Sequence, residues 1–126
     1  MSKLNMMTAA ALLTLSLSLP VAAADDHAAA AAHGGQYVEI EGHHGAEMVA
    51  GPDALTFHLT DDHKPMDLTG AQLKALVQTE AGTSAIALVI EGSTAKGALK
   101  DPLPAGAKIV LSGKDRHGHA LRARFV

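Results

Sequence analysis

Histidine is the side chain here with the most capacity for chemistry. The chain of 126 residues holds eight: His27, His33, His43, His44, His58, His63, His117 and His119. Neutral imidazole is the commonest protein ligand for zinc, copper and nickel. His33, His43, His44, His63, His117 and His119 fall in expected loops or turns, which can gather distant imidazoles around one ion. His58 alone falls in the middle of an expected strand. A single exposed histidine is ordinary; the whole set is what points to a metal.

Three local clusters emerge. The first is His43-His44-Gly45-Ala46-Glu47-Met48. A turn at 42–45 lets His44 and Glu47 approach each other while His43 points elsewhere. His33 precedes the first strand, and hairpin geometry alone leaves it beside this cluster or at the far end of the strand. The second is His58, His63 and Met66, whose turn also offers carboxylates; packing beneath the turn is the ordinary role for Met66. The third is His117 and His119. Residues i and i+2 share one face of a strand, so the pair can chelate, although a polar hairpin tip is the plainer account of it.

Ligand type narrows the ion. There is no cysteine, which removes thiolate chemistry and thiolate zinc sites. Beyond residue 24 the only methionines are Met48 and Met66, too little sulfur for a dedicated Cu(I) site. Imidazole with carboxylate suits Zn(II), Cu(II) or Ni(II), and the acids lack the spacing of a calcium loop. Catalysis has no foothold. Ser93-Thr94-Ala95-Lys96 matches an S-x-x-K pattern, but that chemistry needs a far larger domain with partner motifs. No G-x-S-x-G, phosphate-binding loop or H-E-x-x-H occurs. The expectation is a non-enzyme.

The elements that must position these residues are strands. Tyr37 to Glu41 alternates apolar and polar residues, the period of a half-buried strand. Ala46 to Ala50 returns, and Gly51-Pro52-Asp53 is turn chemistry. In 55–60, Leu55, Phe57 and Leu59 face inward, and Thr56, His58 and Thr60 face outward. The stretch 71–78 fits helix or strand, and its all-β neighbours favour strand. The run 85–90 is expected as a central strand and 95–99 as a short one. A hairpin then joins 107–112 to 119–125, with Leu121, Ala123 and Phe125 inward and Arg122 and Arg124 outward. Seven or eight short strands at this spacing predict an antiparallel, immunoglobulin-like β-sandwich over 36–126. With no Trp, one Tyr and two Phe, its core must be aliphatic.

Residues 1–24 have the pattern of a secretory signal peptide. Lys3 supplies the positive start. Met6 to Leu19 is an apolar run too short to span a bilayer comfortably, and Pro20 and Val21-Ala22-Ala23-Ala24 supply the break and the small residues for cleavage. The mature chain is then expected to start near Asp25, in the periplasm, without membrane insertion. Residues 25–35, rich in alanine and closed by Gly34-Gly35, are expected as a flexible arm. Removing Lys3 leaves nine Lys and Arg against thirteen Asp and Glu, a net charge of −4. That balance argues against a nucleic-acid partner, and equally against electrostatic docking on anionic lipid.

The run His33-Gly34-Gly35, a strand, His44 and Glu47, then Phe57-His58-Leu59-Thr60-Asp61 with Pro65 and Gly70, resembles a small periplasmic domain. That domain occurs alone and at the front of the adaptor subunits of heavy-metal efflux pumps. The resemblance covers about His33 to Val126. It implies a β-sandwich that meets metal ions in the periplasm, with an efflux component as the partner it suggests. This chain has His43-His44 where one histidine is expected, so either can be the ligand. No fusion or hairpin segment of an adaptor is present. The functional expectation is a carrier or buffer of Zn(II), Cu(II) or Ni(II), with His33, His44 and Glu47 as first ligands and His43, His63 and Met66 as second. The rival expectation is a sandwich interaction or assembly module that works through its strand edges, with incidental histidines.

Overall fold

The computed structural model describes residues 31–126. The expected signal peptide at 1–24 and the arm residues 25–30 lie outside the described residues. Among those described there is no helix, and so none long and apolar enough to cross a membrane.

Ten strands form: β1 (Gln36–Ile40), β2 (His44–Ala50), β3 (Ala54–Asp61), β4 (Lys64–Pro65), β5 (Gln72–Thr79), β6 (Gly82–Ala87), β7 (Val89–Glu91), β8 (Thr94–Ala98), β9 (Lys108–Lys114) and β10 (Ala120–Phe125). They build two antiparallel sheets, in the orders β1-β2-β3-β8-β7, with β4 beside β3, and β10-β9-β5-β6. This is the predicted all-β sandwich. The alternation in β3 and β10 sorts as expected: Leu55, Phe57, Leu59, Leu121, Ala123 and Phe125 are buried, and the residues between them are not. Phe57 and Phe125 meet across the sheets with ring centres 5.7 Å apart and planes tilted by 50°, the offset geometry that aromatic quadrupoles favour. Leu68, Ile109 and Leu111 complete an aliphatic centre.

One segment meets its expectation and another departs from it. The stretch that fitted helix or strand forms the favoured strand, β5, in which Leu73, Ala75 and Val77 turn inward and Leu76 outward. The helical spacing of Leu73, Leu76 and Val77 therefore meant nothing, because burial selected the period-2 set that includes Ala75. The run 85–90 is not one central strand. It divides at Leu88 into β6, at the edge of the second sheet, and β7, at the edge of the first. Small residues explain this: Thr83, Ser84, Ala85 and Ala87 are all exposed in β6, and only Ile86 among them reaches the core. One chain that crosses from sheet to sheet in this way forms a corner of the sandwich.

Candidate functional site

The Gly51–Asp53 turn sets the register of β2 on β3, so that Ala50 pairs with Leu55 and Glu47 with His58. On the other side Glu47 pairs with Tyr37, and His58 pairs with Thr94. Met48 and Phe57, their neighbours in sequence, are core residues. A strand alternates faces, so Tyr37, Glu47, His58 and Thr94 form one row across the outer face of the first sheet. Tyr37 lies over Gly45, where any added Cβ would strike its ring.

The segment His33-Gly34-Gly35 folds across this row. The main-chain N–H groups of His33 and Gly35 donate to Glu47 Oε2 at 2.9 and 2.8 Å. The His33 ring meets Glu47 Oε1 through Nδ1 at 2.9 Å. That ring also stacks on His58, with centres 3.6 Å apart and planes within 4°. Gly35 is required for so close an approach, since a Cβ there would collide with the carbonyl of Met48. Residues 33–35, expected to close a flexible arm, are instead tied to the sheet by a carboxylate that is itself 4% exposed.

Burial pushes the Glu47 carboxyl upward in pKa, but the hydrogen bonds from the His33 ring, Gly35 and His33 N–H outweigh it and hold the group below the ordinary carboxylate range. The ionised oxygen accepts, so Nδ1 of His33 carries the hydrogen; with that tautomer assigned from the bonding, the lone pair of the neutral ring lies on Nε2. Burial, with adjacent His33 adding to it and Glu47 opposing, pushes His58 below the ordinary histidine range. His58 is therefore neutral at neutral pH. Two imidazoles lie side by side at the surface, one of them aligned by a carboxylate, as metal-bound histidines usually are.

The other expected ligands go elsewhere. His44 does not approach Glu47. The turn ends two residues early, β2 begins at His44 itself, and residues three apart on a strand point to opposite faces. His44 faces Asp61 at the mouth of the sandwich, 3.8 Å away. His43 is exposed beside Asp62 at 3.4 Å, and His63 sits in the next turn with a positive φ of 64°. Met66 is buried in the core, the packing role. Among the described residues, no three His, Asp or Glu side chains stand ready as a complete ligand set. His58, grouped by sequence with His63 and Met66, instead stands opposite Glu47, where the turn at 51–53 and the alternation of β3 together place it.

The hairpin of β9 and β10 repeats the carboxylate–imidazole theme. Asp115, its side chain 4% exposed, accepts from the N–H groups of His117 and His119 at 2.8 and 2.9 Å and meets His119 Nδ1 at 3.1 Å. Burial opposes ionisation, yet these bonds hold the carboxyl below its ordinary range. His117 differs, because Arg116 Nε donates to its Nε2 at 3.2 Å. The nitrogen that would take an ion is already engaged, with a cation beside it. Replacing His117 and His119 together by alanine is expected to change Zn(II) affinity by less than about threefold, since a surface site that fails to assemble contributes little. Calorimetric titration of the double variant checks this.

No family model, curated protein or solved structure matches the chain.

Proposed function

We infer that this domain is a periplasmic protein that binds a divalent transition ion, Zn(II), Cu(II) or Ni(II), through His33 and His58, and buffers or hands it on. The observation that carries the reading is the stacked imidazole pair anchored on Glu47. Two imidazoles on one tetrahedral ion, with bonds of about 2.0–2.1 Å, hold their nitrogens about 3.3 Å apart. The ring centres are 3.6 Å apart with parallel planes, so the two nitrogens are near neighbours, and turning the rings out of the stack by roughly 50° each brings both in-plane lone pairs onto one tetrahedral ion. Glu47 is saturated by three N–H donors, so it orients His33 rather than ligating. Water completes the coordination. An open, partly exposed site of two protein ligands suits exchange better than permanent structural binding.

A link to metal efflux rests on the His-Gly-Gly motif and its companions in sequence. The site adds one consistent fact: within that motif both the imidazole and the second glycine are needed, one to offer nitrogen and the other to let the chain meet Glu47.

Titration calorimetry of the chain without residues 1–24, with each of the three ions near neutral pH, tests the reading. One binding event per chain, with a rise in melting temperature, is expected, because only the folded chain holds the two rings together. No heat with any of the ions would end the metal reading and leave the interaction module in its place.

A further inference from the structure

The strands of the second sheet contain no acidic residue. Lys74 on β5, Lys108 and Lys114 on β9, and Arg122 and Arg124 on β10 are all exposed. Register puts them on one face: Arg122 pairs with Ser112, which pairs with Lys74, and Arg124 pairs with Val110, which pairs with Leu76. Their sequence neighbours Ala75, Ile109, Asp115, Leu121 and Ala123 are buried, so the five cations point outward. None of the five forms an ion pair among the described residues. Five of the chain's ten cationic residues thus occupy one sheet face, and the remaining five share the rest of the chain with all thirteen acids. The overall acidity conceals a strongly polarised molecule.

We propose that this face docks on an anionic membrane surface, as a peripheral contact without insertion. Charge complementarity selects an anionic partner. The face is a sheet rather than a groove, so it offers its cations together to a partner that is itself a surface. Leu76 and Val110 lie half-buried between the cations, and Val126, 85% exposed, sits beside Lys108 and Arg124 at the rim. Apolar side chains among long cationic stems match the boundary of headgroup and acyl chain. A purely hydrophilic phosphate polymer has nothing to meet them.

The test uses the chain without residues 1–24, which keeps all ten strands. It is sedimented with vesicles of phosphatidylcholine alone and of phosphatidylcholine with phosphatidylglycerol. Binding to the anionic vesicles only, weakening steeply with salt, is expected. The triple variant Lys74→Glu, Arg122→Glu and Arg124→Glu should lower partitioning by about a hundredfold or more, given the roughly fivefold contribution of each cation near an anionic surface. The variant Lys64→Glu, Lys96→Glu and Lys100→Glu carries the same charge change on other exposed positions and should bind within a few-fold of the parent. Circular dichroism confirms that both variants fold. Equal loss in the two variants would mean that net charge alone acts and would overturn the proposal. So would failure to bind anionic vesicles, whether or not the protein binds heparin or an oligonucleotide; binding to those alone would assign the face to a polyanion.

Discussion

Replacing His33 and His58 together by alanine should reduce Zn(II) affinity by at least about a hundredfold while the sandwich stays folded. Metal affinity falls about 10–100-fold when only the group that orients a ligand is lost, and here both proposed ligands go. Neither ring belongs to the core: His33 is half-exposed and His58 faces outward from β3. A Glu47→Gln variant should show the smaller loss, in the 10–100-fold range, because the amide keeps the shape but loses the charge that fixes the His33 tautomer. The control is the triple replacement of His43, His44 and His63, which should bind nearly as the parent does. Calorimetry on the three variants separates the alternatives. Parent-like binding by the His33/His58 variant, with loss in the triple variant, would move the site to the turns around Gly42 and Asp62.

How much of this was visible beforehand depends on what each residue needs in order to be placed. Glu47 and His58 lie on adjacent strands, and local rules reach them: the turn chemistry of Gly51-Pro52-Asp53 sets the register, and alternation sets the face. His58 was grouped with His63 and Met66 because its strand was read along the chain rather than against its partner. His44 failed for a sharper reason. β2 begins two residues earlier than expected, which takes His44 out of the turn and onto the strand, three residues from Glu47 and so on the opposite face, and the two glycines around His43-His44 left that start open. His33 could not be placed locally, since what holds it is the carboxylate of Glu47, fourteen residues on. Met66 followed the ordinary rule for its type and was buried. The basic face was out of reach for a different reason. Arg122 and Arg124 are visibly alternate, but Lys74, Lys108 and Lys114 join them only through the order β10-β9-β5, and a net charge averages over all faces.

Replacing Glu47 by alanine should destabilise the metal-free protein by about 2–3 kcal/mol, because hydrogen bonds to a charged group contribute about 1.5–3 kcal/mol each and the exposed side of the segment partly recovers by rehydration. Against a total stability of about 5–15 kcal/mol for a domain, the fraction is large for a residue outside the core. The lost acceptor strands the N–H groups of His33 and Gly35, so residues 31–35 should detach first, visible as fast hydrogen exchange confined to that segment and its contacts on β2 and β3. The same contacts set the response to acid. His58 has a folded-state pKa below its ordinary value of 6.5, so the unfolded chain takes the proton first. Its contribution to stability is complete above that value and is lost as pH falls through it. Glu47, depressed from 4.5, and Asp115, depressed from 3.8, behave in the same sense at lower pH: what they contribute is present above those values and disappears below them. Denaturant midpoints of the metal-free protein should therefore fall in two stages on acidification, one below about pH 6.5 and one below about pH 4.5. His58→Ala should flatten the first stage and leave the second. Glu47→Ala should reduce the second, leaving the part that belongs to Asp115. A midpoint that does not change between pH 7 and pH 5 would show that His58 is not held neutral by its surroundings, and the stack on His33 would then be no preorganised pair.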